Sequence, residues 1–206
     1  MNRHLLVVGA AALALAACQK QTAATPPSDT AASSSATDAA SAAAAGAAAQ
    51  PGATAPAASA APAAADFVAM AAASDMYEIQ AAKIAEKRSK NADIKAFAKM
   101  MVRDHTKSTA LIKKAVTDSG KPITPPADLP ADKKALIVAL NGASAADFDK
   151  TYVDQQVMAH KDALALMTSY SMSGDTPQLK DAAGMIVPKV QMHLDKINSI
   201  QMALSK

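Results

Sequence analysis

Four residues carry the coordination chemistry that this sequence offers: Glu78, His105, His160 and His193. Imidazole nitrogen and carboxylate oxygen are ligands for copper, zinc and iron. Each of the three histidines continues an apolar run at helical spacing. His105 follows Phe97 and Met101, His160 lies between Val157 and Leu164, and His193 lies between Val190 and Ile197. An apolar stripe takes about three of every seven helical positions, so three histidines falling on stripes by chance is roughly a one-in-twelve event. Glu78 stands beside Tyr77 at the edge of an earlier stripe. Counted back through the first hairpin, it reaches the height of His105 to within about one helical turn.

Two arrangements satisfy buried imidazoles, since an unpaired buried polar group costs about 1–3 kcal/mol. One is a closed hydrogen-bond network with Tyr77, Tyr152 and Gln156. The other is a mononuclear transition-metal site on Glu78, His105, His160 and His193. Asp104, next to His105, either orients an imidazole from behind or forms a surface ion pair. A carboxylate di-iron centre is excluded. It requires Glu on two helices and Glu-x-x-His on the other two. Here Val102, Val157 and Val190 stand three residues before the histidines, and the chain has only two glutamates, Glu78 and Glu86. Eleven methionines add soft thioethers. Met101 and His105 share a face, a pairing that suits Cu(I), but methionine also fills gaps in cores short of aromatics.

The elements that position these residues are helices. Aromatics are 3% of the chain and Trp is absent, so the core rests on Ala, Leu, Ile, Val and Met, a helix-favouring palette. From Asp66 onward apolar residues recur every three or four positions. Asp66 is the expected N-cap of a first helix with the stripe Phe67, Met70, Ser74, Tyr77, Ala81 and Ile84. A second helix runs from Ala92 to Ser119 and stops at Gly120 and Pro122. The connector from Lys121 to Ala143 contains four prolines and one short helix, Ala131 to Leu140. A third long helix opens with a capping box at Ser144 and Asp147 and ends at Gly174. A fourth follows Asp175 or Thr176, with Pro177 in its first turn and Leu204 closing its stripe. Pro188 interrupts its hydrogen bonding about one turn before His193. The expected fold is all-α: a four-helix bundle, ferritin-like, with a long crossover between its second and third long helices.

Ahead of residue 66 the sequence changes character. Leu5 to Ala17 is an uncharged apolar run behind Arg3, too short for the roughly 20 residues that span a bilayer and suited to a signal peptide over residues 1–17. Leu15-Ala16-Ala17-Cys18 resembles the lipobox of bacterial lipoproteins, which implies lipidation of Cys18, the chain's single cysteine. Each buried acyl CH₂ contributes about 0.8 kcal/mol, so more than one chain anchors stably. Gln19, in place of Asp, implies by the same resemblance the outer membrane of a Gram-negative cell, with the protein facing the periplasm. Residues 18–65 are Ala-, Ser-, Thr- and Pro-rich and hold no large apolar side chain. They read as a linker. Cys18→Ser is expected to release the protein from the membrane fraction; unchanged fractionation would refute the anchor.

Met101-Val102-Arg103-Asp104-His105, Phe148-Asp149-Lys150-Thr151-Tyr152, His160, and Pro188 followed by His193 together resemble the exported bacterial family called domain of unknown function 4142. The resemblance spans nearly all of Asp66 to Leu204 and implies a ferritin-like fold. It implies that His105, His160 and His193 are recurring positions, with Asp104 and Asp149 beside them and Tyr152 a further supporting candidate.

A net charge of +3, with no basic and aromatic interleaving, gives no ground for nucleic-acid binding. No phosphate loop, Gly-x-Ser-x-Gly or His-Glu-x-x-His is present, and no nucleophile is identifiable. The expected function is therefore a non-enzymatic envelope lipoprotein, a helical binding or structural module of unassigned protein partner. The alternative is a protein binding Cu, Zn or Fe. An enzyme using histidine acid–base chemistry is the weaker third class.

Overall fold

The computed structural model describes residues 61–206. The signal peptide, Cys18 and nearly all of the linker lie outside the described residues. Five helices and no strand make up the described part: α1 (Ala64–Arg88), α2 (Ala92–Ser119), α3 (Ala131–Gly142), α4 (Phe148–Ser173) and α5 (Pro177–Leu204). None is long and apolar enough to cross a membrane. Four are long, and they form a ring in which α1 packs on α2, α2 on α5, α5 on α4, and α4 on α1. The short α3 sits within the connector and touches α1 and α4.

Local chemistry explains the boundaries. The Asn91 side chain accepts from the backbone N–H groups of Asp93 and Ile94 at 2.9 and 3.3 Å, which satisfies two of the four free donors at the start of α2. Gly120 ends α2 with φ of 65°, a conformation that costs other residues a Cβ clash. Ser144 and Asp147 form the expected reciprocal pair: Asp147 N–H donates to Ser144 Oγ at 3.1 Å, and the hydroxyl donates back to the carboxylate at 2.6 Å. That pair caps a turn leading into α4, so the helix itself begins at Phe148. Asp66 is not an N-cap. α1 starts three residues earlier than that cap implies, with Ala63 in the cap position, and Asp175 reaches across to accept from Ala64 N–H at 3.3 Å. Asp175 also accepts from the Tyr170 hydroxyl at 2.8 Å and from the Thr176 hydroxyl at 2.9 Å. One carboxylate thus ties the start of α1 to the α4–α5 turn.

Arg88 does comparable work at the other end. Its guanidinium donates to the carbonyls of Leu140 and Asn141 at 2.7 and 2.8 Å, and to that of Ala143. These are carbonyls at the end of α3 that lack helical partners. The same group lies 4.5 Å above the Phe148 ring. Hydrogen bonds to a charged group contribute about 1.5–3 kcal/mol and an exposed cation–π contact about 0.5–1 kcal/mol. Arg88→Ala is expected to lower stability by about 2–4 kcal/mol, read as a fall in the urea midpoint at unchanged slope. A loss below about 0.5 kcal/mol would show that α3 docks without this cap.

The apolar interior comes in two blocks. One gathers Tyr77, Phe97, Met101, Phe148, Tyr152 and Ile197 with their neighbours. The other gathers Phe67, Ile112, Met167, Tyr170, Leu179 and Ile186. Along each long helix the passage from one block to the other falls at a polar residue. That residue is Asp75 on α1, His105 on α2, His160 on α4 and His193 on α5.

Methionine departs from the gap-filling expectation. Of the ten in the described residues only Met101 and Met167 are buried, while Met70, Met158, Met172, Met185, Met192 and Met202 are exposed. Met70 and Leu204, expected in the apolar stripes, face solvent.

Candidate metal centre

The polar layer between the two blocks is built from all four long helices. His105, His160 and His193 are each at most 5% exposed. Their ring centroids are 5.5 to 5.8 Å apart, and one nitrogen from each ring lies within 4.8 Å of the other two. A metal bound at 2.0–2.1 Å holds three nitrogens about 3.3–3.6 Å apart. The nitrogens are therefore at most about 1.5 Å further apart than a bound metal would hold them.

Each imidazole has one nitrogen engaged and one free. His105 Nδ1 meets Asp75 Oδ1 at 2.8 Å. His160 Nδ1 meets the carbonyl of Gln156, one turn back on its own helix, at 2.9 Å. His193 Nε2 meets Asp104 Oδ2 at 3.2 Å. A carbonyl or carboxylate oxygen only accepts, so in each case the engaged nitrogen carries the proton. The other nitrogens, His105 Nε2, His160 Nε2 and His193 Nδ1, are buried and have no partner among the described residues. In the neutral ring each is a lone pair, the form that ligates metal. Backing a ligating imidazole with an acceptor on its outer nitrogen fixes the tautomer and the ring orientation.

The electrostatics set the three apart. Burial pushes the His193 pKa down to about 4 and also lowers that of His160. Both rings are therefore neutral at physiological pH. Burial pulls His105 the same way, but Asp75, Glu78 and Asp104 outweigh it and leave its pKa raised. The Arg103 guanidinium grips Asp104 through bonds of 2.8 and 3.0 Å. It holds that carboxyl down at about 2 against the opposing effect of burial, so Asp104 stays an acceptor. Asp104 thus contacts Arg103 and an imidazole at once, and the imidazole is His193 on α5, not its neighbour His105.

The other expected site residues fare differently. Glu78 is buried, but it stands behind His160, with Oε1 3.8 Å from Nδ1, and it is not among the three groups that converge. Tyr152 and Asp149 make no hydrogen bond to a histidine; the Tyr152 hydroxyl and Asp149 Oδ1 are themselves without partners. They lie 8 and 11 residues before His160 on the same helix, about 12 and 16 Å along its axis. The closed network with Tyr77, Tyr152 and Gln156 does not form. Tyr77 donates to Gln155 at 3.0 Å, while both side-chain polar atoms of Gln156 are left without partners. Conversely Asp75, which the sequence reading passed over, is buried and accepts from Thr109 Oγ1 at 2.9 Å in addition to His105. Its signal in the sequence was its spacing, three residues before Glu78 in a stretch with no other charge between Asp66 and Lys83.

A family model described as "Domain of unknown function (DUF4142)" matches residues 47–200, and the chain belongs to that family. No curated protein matches the chain. Among solved structures the fold is similar to that of CopM in a Cu(I)-bound form, with a TM-score of 0.59, and in a Cu(II)-bound form, with a TM-score of 0.60. In both comparisons the identity is 14% and the match covers 70% of this chain and 99% of the other.

Proposed function

We propose that the protein is a helical metal-binding module whose site is His105, His160 and His193, with copper as the preferred metal. The observation that carries this reading is the set of three buried ring nitrogens, one from each of three helices, that have no partner among the described residues. Leaving each unmade costs about 1–3 kcal/mol, and one ion held between the rings would satisfy all three. Copper stands at the top of the affinity order for nitrogen ligands among divalent first-row metals, and imidazole serves both of its oxidation states. CopM, the structural neighbour, was solved with copper bound in both states; at 14% identity that likeness speaks for the fold and here only suggests which metal to try first. Asp75, Asp104 and the Gln156 carbonyl would hold the rings in the ligating tautomer, and the absence of a carboxylate from the converging set disfavours iron.

In this reading the ring order α1–α2–α5–α4, with its long connection from α2 to α4, is that of a ferritin-like bundle. The module is tethered to the membrane through Cys18, at the periplasmic side of the outer membrane, and its task there is to hold or buffer a metal, without catalysis. The test is elemental analysis and a thermal melt of the purified protein with and without Cu(I), Cu(II) and Zn(II). A ligand bound by the folded state alone raises stability by about 2.7 kcal/mol at a hundredfold excess over its dissociation constant. One equivalent of copper and a rise in Tm are expected. No uptake of any of the three would leave a tethered structural module, and preferential uptake of zinc would reassign the metal.

A further inference from the structure

A cavity of about 150 Å³ lies against the histidine layer and is walled by all four long helices. Pockets that take organic ligands run to roughly 300–1,000 Å³, so this one suits an ion and a few waters. Its inner wall includes His105 and His193, two of the rings with an unpartnered nitrogen. Its α5 wall runs from Met185 through Ile186, Lys189 and Val190 to His193, the stretch around Pro188. Met185, Lys189 and His193 are spaced by four, so they share one face of α5. Met185 is 63% exposed, whereas Met167, on the α4 wall, is 2% exposed. The two lysines in the wall, Lys107 and Lys189, are matched in number by Asp75 and Asp104, so the passage carries no formal net charge.

We propose that this cavity is the loading path for Cu(I), with Met185 as the receiving ligand at the surface and Met167 as a relay toward His193 and His105. This rests on the metal-binding reading above and adds to it the route and the oxidation state. Thioether sulfur is a soft ligand that selects Cu(I) and serves Zn(II) poorly. Met185 to His193 is eight residues, about 12 Å of helix, too far for one side chain to bridge, and Met167, buried on the same lining, offers a second sulfur. An exposed methionine ordinarily needs no role, but this one borders the passage to the buried imidazoles, whereas Met172, 67% exposed on α4, does not.

The experiment delivers Cu(I) from its bicinchoninate complex to the metal-free protein and follows loss of the chelate colour by stopped flow. Four proteins are compared: wild type, Met185→Leu, Met185→Leu/Met167→Leu, and Met172→Leu as the control. Met185→Leu is expected to load about tenfold more slowly, a barrier higher by about 1.4 kcal/mol, with its final affinity unchanged. The double variant should be slower still, and the control should match wild type. Zn(II) uptake, followed with a zinc chelator, should be the same in all four. Loading of Met185→Leu at the wild-type rate, or equal slowing of Met172→Leu, overturns the path while leaving the site. No Cu(I) uptake by wild type overturns both. Because Met185 is exposed and Leu conserves its volume, the single variant separates these outcomes without a folding defect.

Discussion

His160→Leu is expected to stabilise the metal-free protein and to abolish its stabilisation by metal. Leu is close to His in volume, and volume-conserving core changes are the best tolerated. Burial already holds the wild-type ring neutral, so no ion pair is lost. Its one hydrogen bond, from Nδ1, goes to the Gln156 carbonyl, which retains its ordinary helical partner when the ring is gone. Glu78 at 3.8 Å is beyond hydrogen-bond reach. What the substitution removes is a buried Nε2 with no partner, worth about 1–3 kcal/mol of relief. In a domain of this size that raises Tm by about 2–4 °C per kcal/mol. With copper at a hundredfold excess over its dissociation constant, wild type should gain about 2.7 kcal/mol and the variant should gain little. The gap between the two melting temperatures would therefore close or reverse on adding metal. A variant less stable than wild type in the absence of metal would mean that His160 Nε2 is satisfied within the protein, and the case for an ion would lose its main support.

How much of this was legible in the sequence depended on contrast along each helix. In α2, α4 and α5 large apolar residues such as Phe97, Val157 and Val190 alternate with charged ones. The stripes through His105, His160 and His193 could be followed to their burial, and three of the four expected ligands converge. In α1 alanine occupies several faces at once. The expected stripe through Met70 and Ser74 is one position out of phase with the buried residues Ala71 and Asp75. One residue is 100° of rotation, enough to turn Asp75 from the interior to the surface on paper. Glu78 was placed inside correctly, but a phase error of that kind hides that it lies behind His160 instead of beside its free nitrogen. The serine and glycine signals at Ser144 and Gly120 were readable because capping is local chemistry, whereas the Asn91 cap of α2 was passed over. The start of α1 was not, because the group that holds it is Asp175, 111 residues away. Pairings between helices, such as Asp104 with His193 and Asp75 with His105, depend on register across the bundle, which spacing within one helix does not encode.

Asp75→Asn is expected to weaken metal binding by about 10- to 100-fold, the usual cost of removing the acceptor behind a ligating imidazole. The carboxylate takes bonds from both sides, from His105 Nδ1 at 2.8 Å and from Thr109 Oγ1 at 2.9 Å. Asparagine preserves the shape but has one acceptor where aspartate has two. If its oxygen stays on His105, the imidazole keeps its tautomer and loses only the negative charge that makes Nε2 more basic. If its amide nitrogen turns to His105, Nδ1 must become the acceptor, and the ring proton moves to Nε2, onto the nitrogen offered to the metal. Either outcome weakens the site, the second more severely. Thr109→Val separates the two contributions. It removes the donor on the far oxygen and leaves the charge, so its effect on affinity should be the smaller. Competition against a chelator of known strength, performed on both variants, gives the comparison. Affinity of Asp75→Asn within twofold of wild type would show that Asp75 serves only to satisfy a buried ring, and would remove His105 from the ligand set.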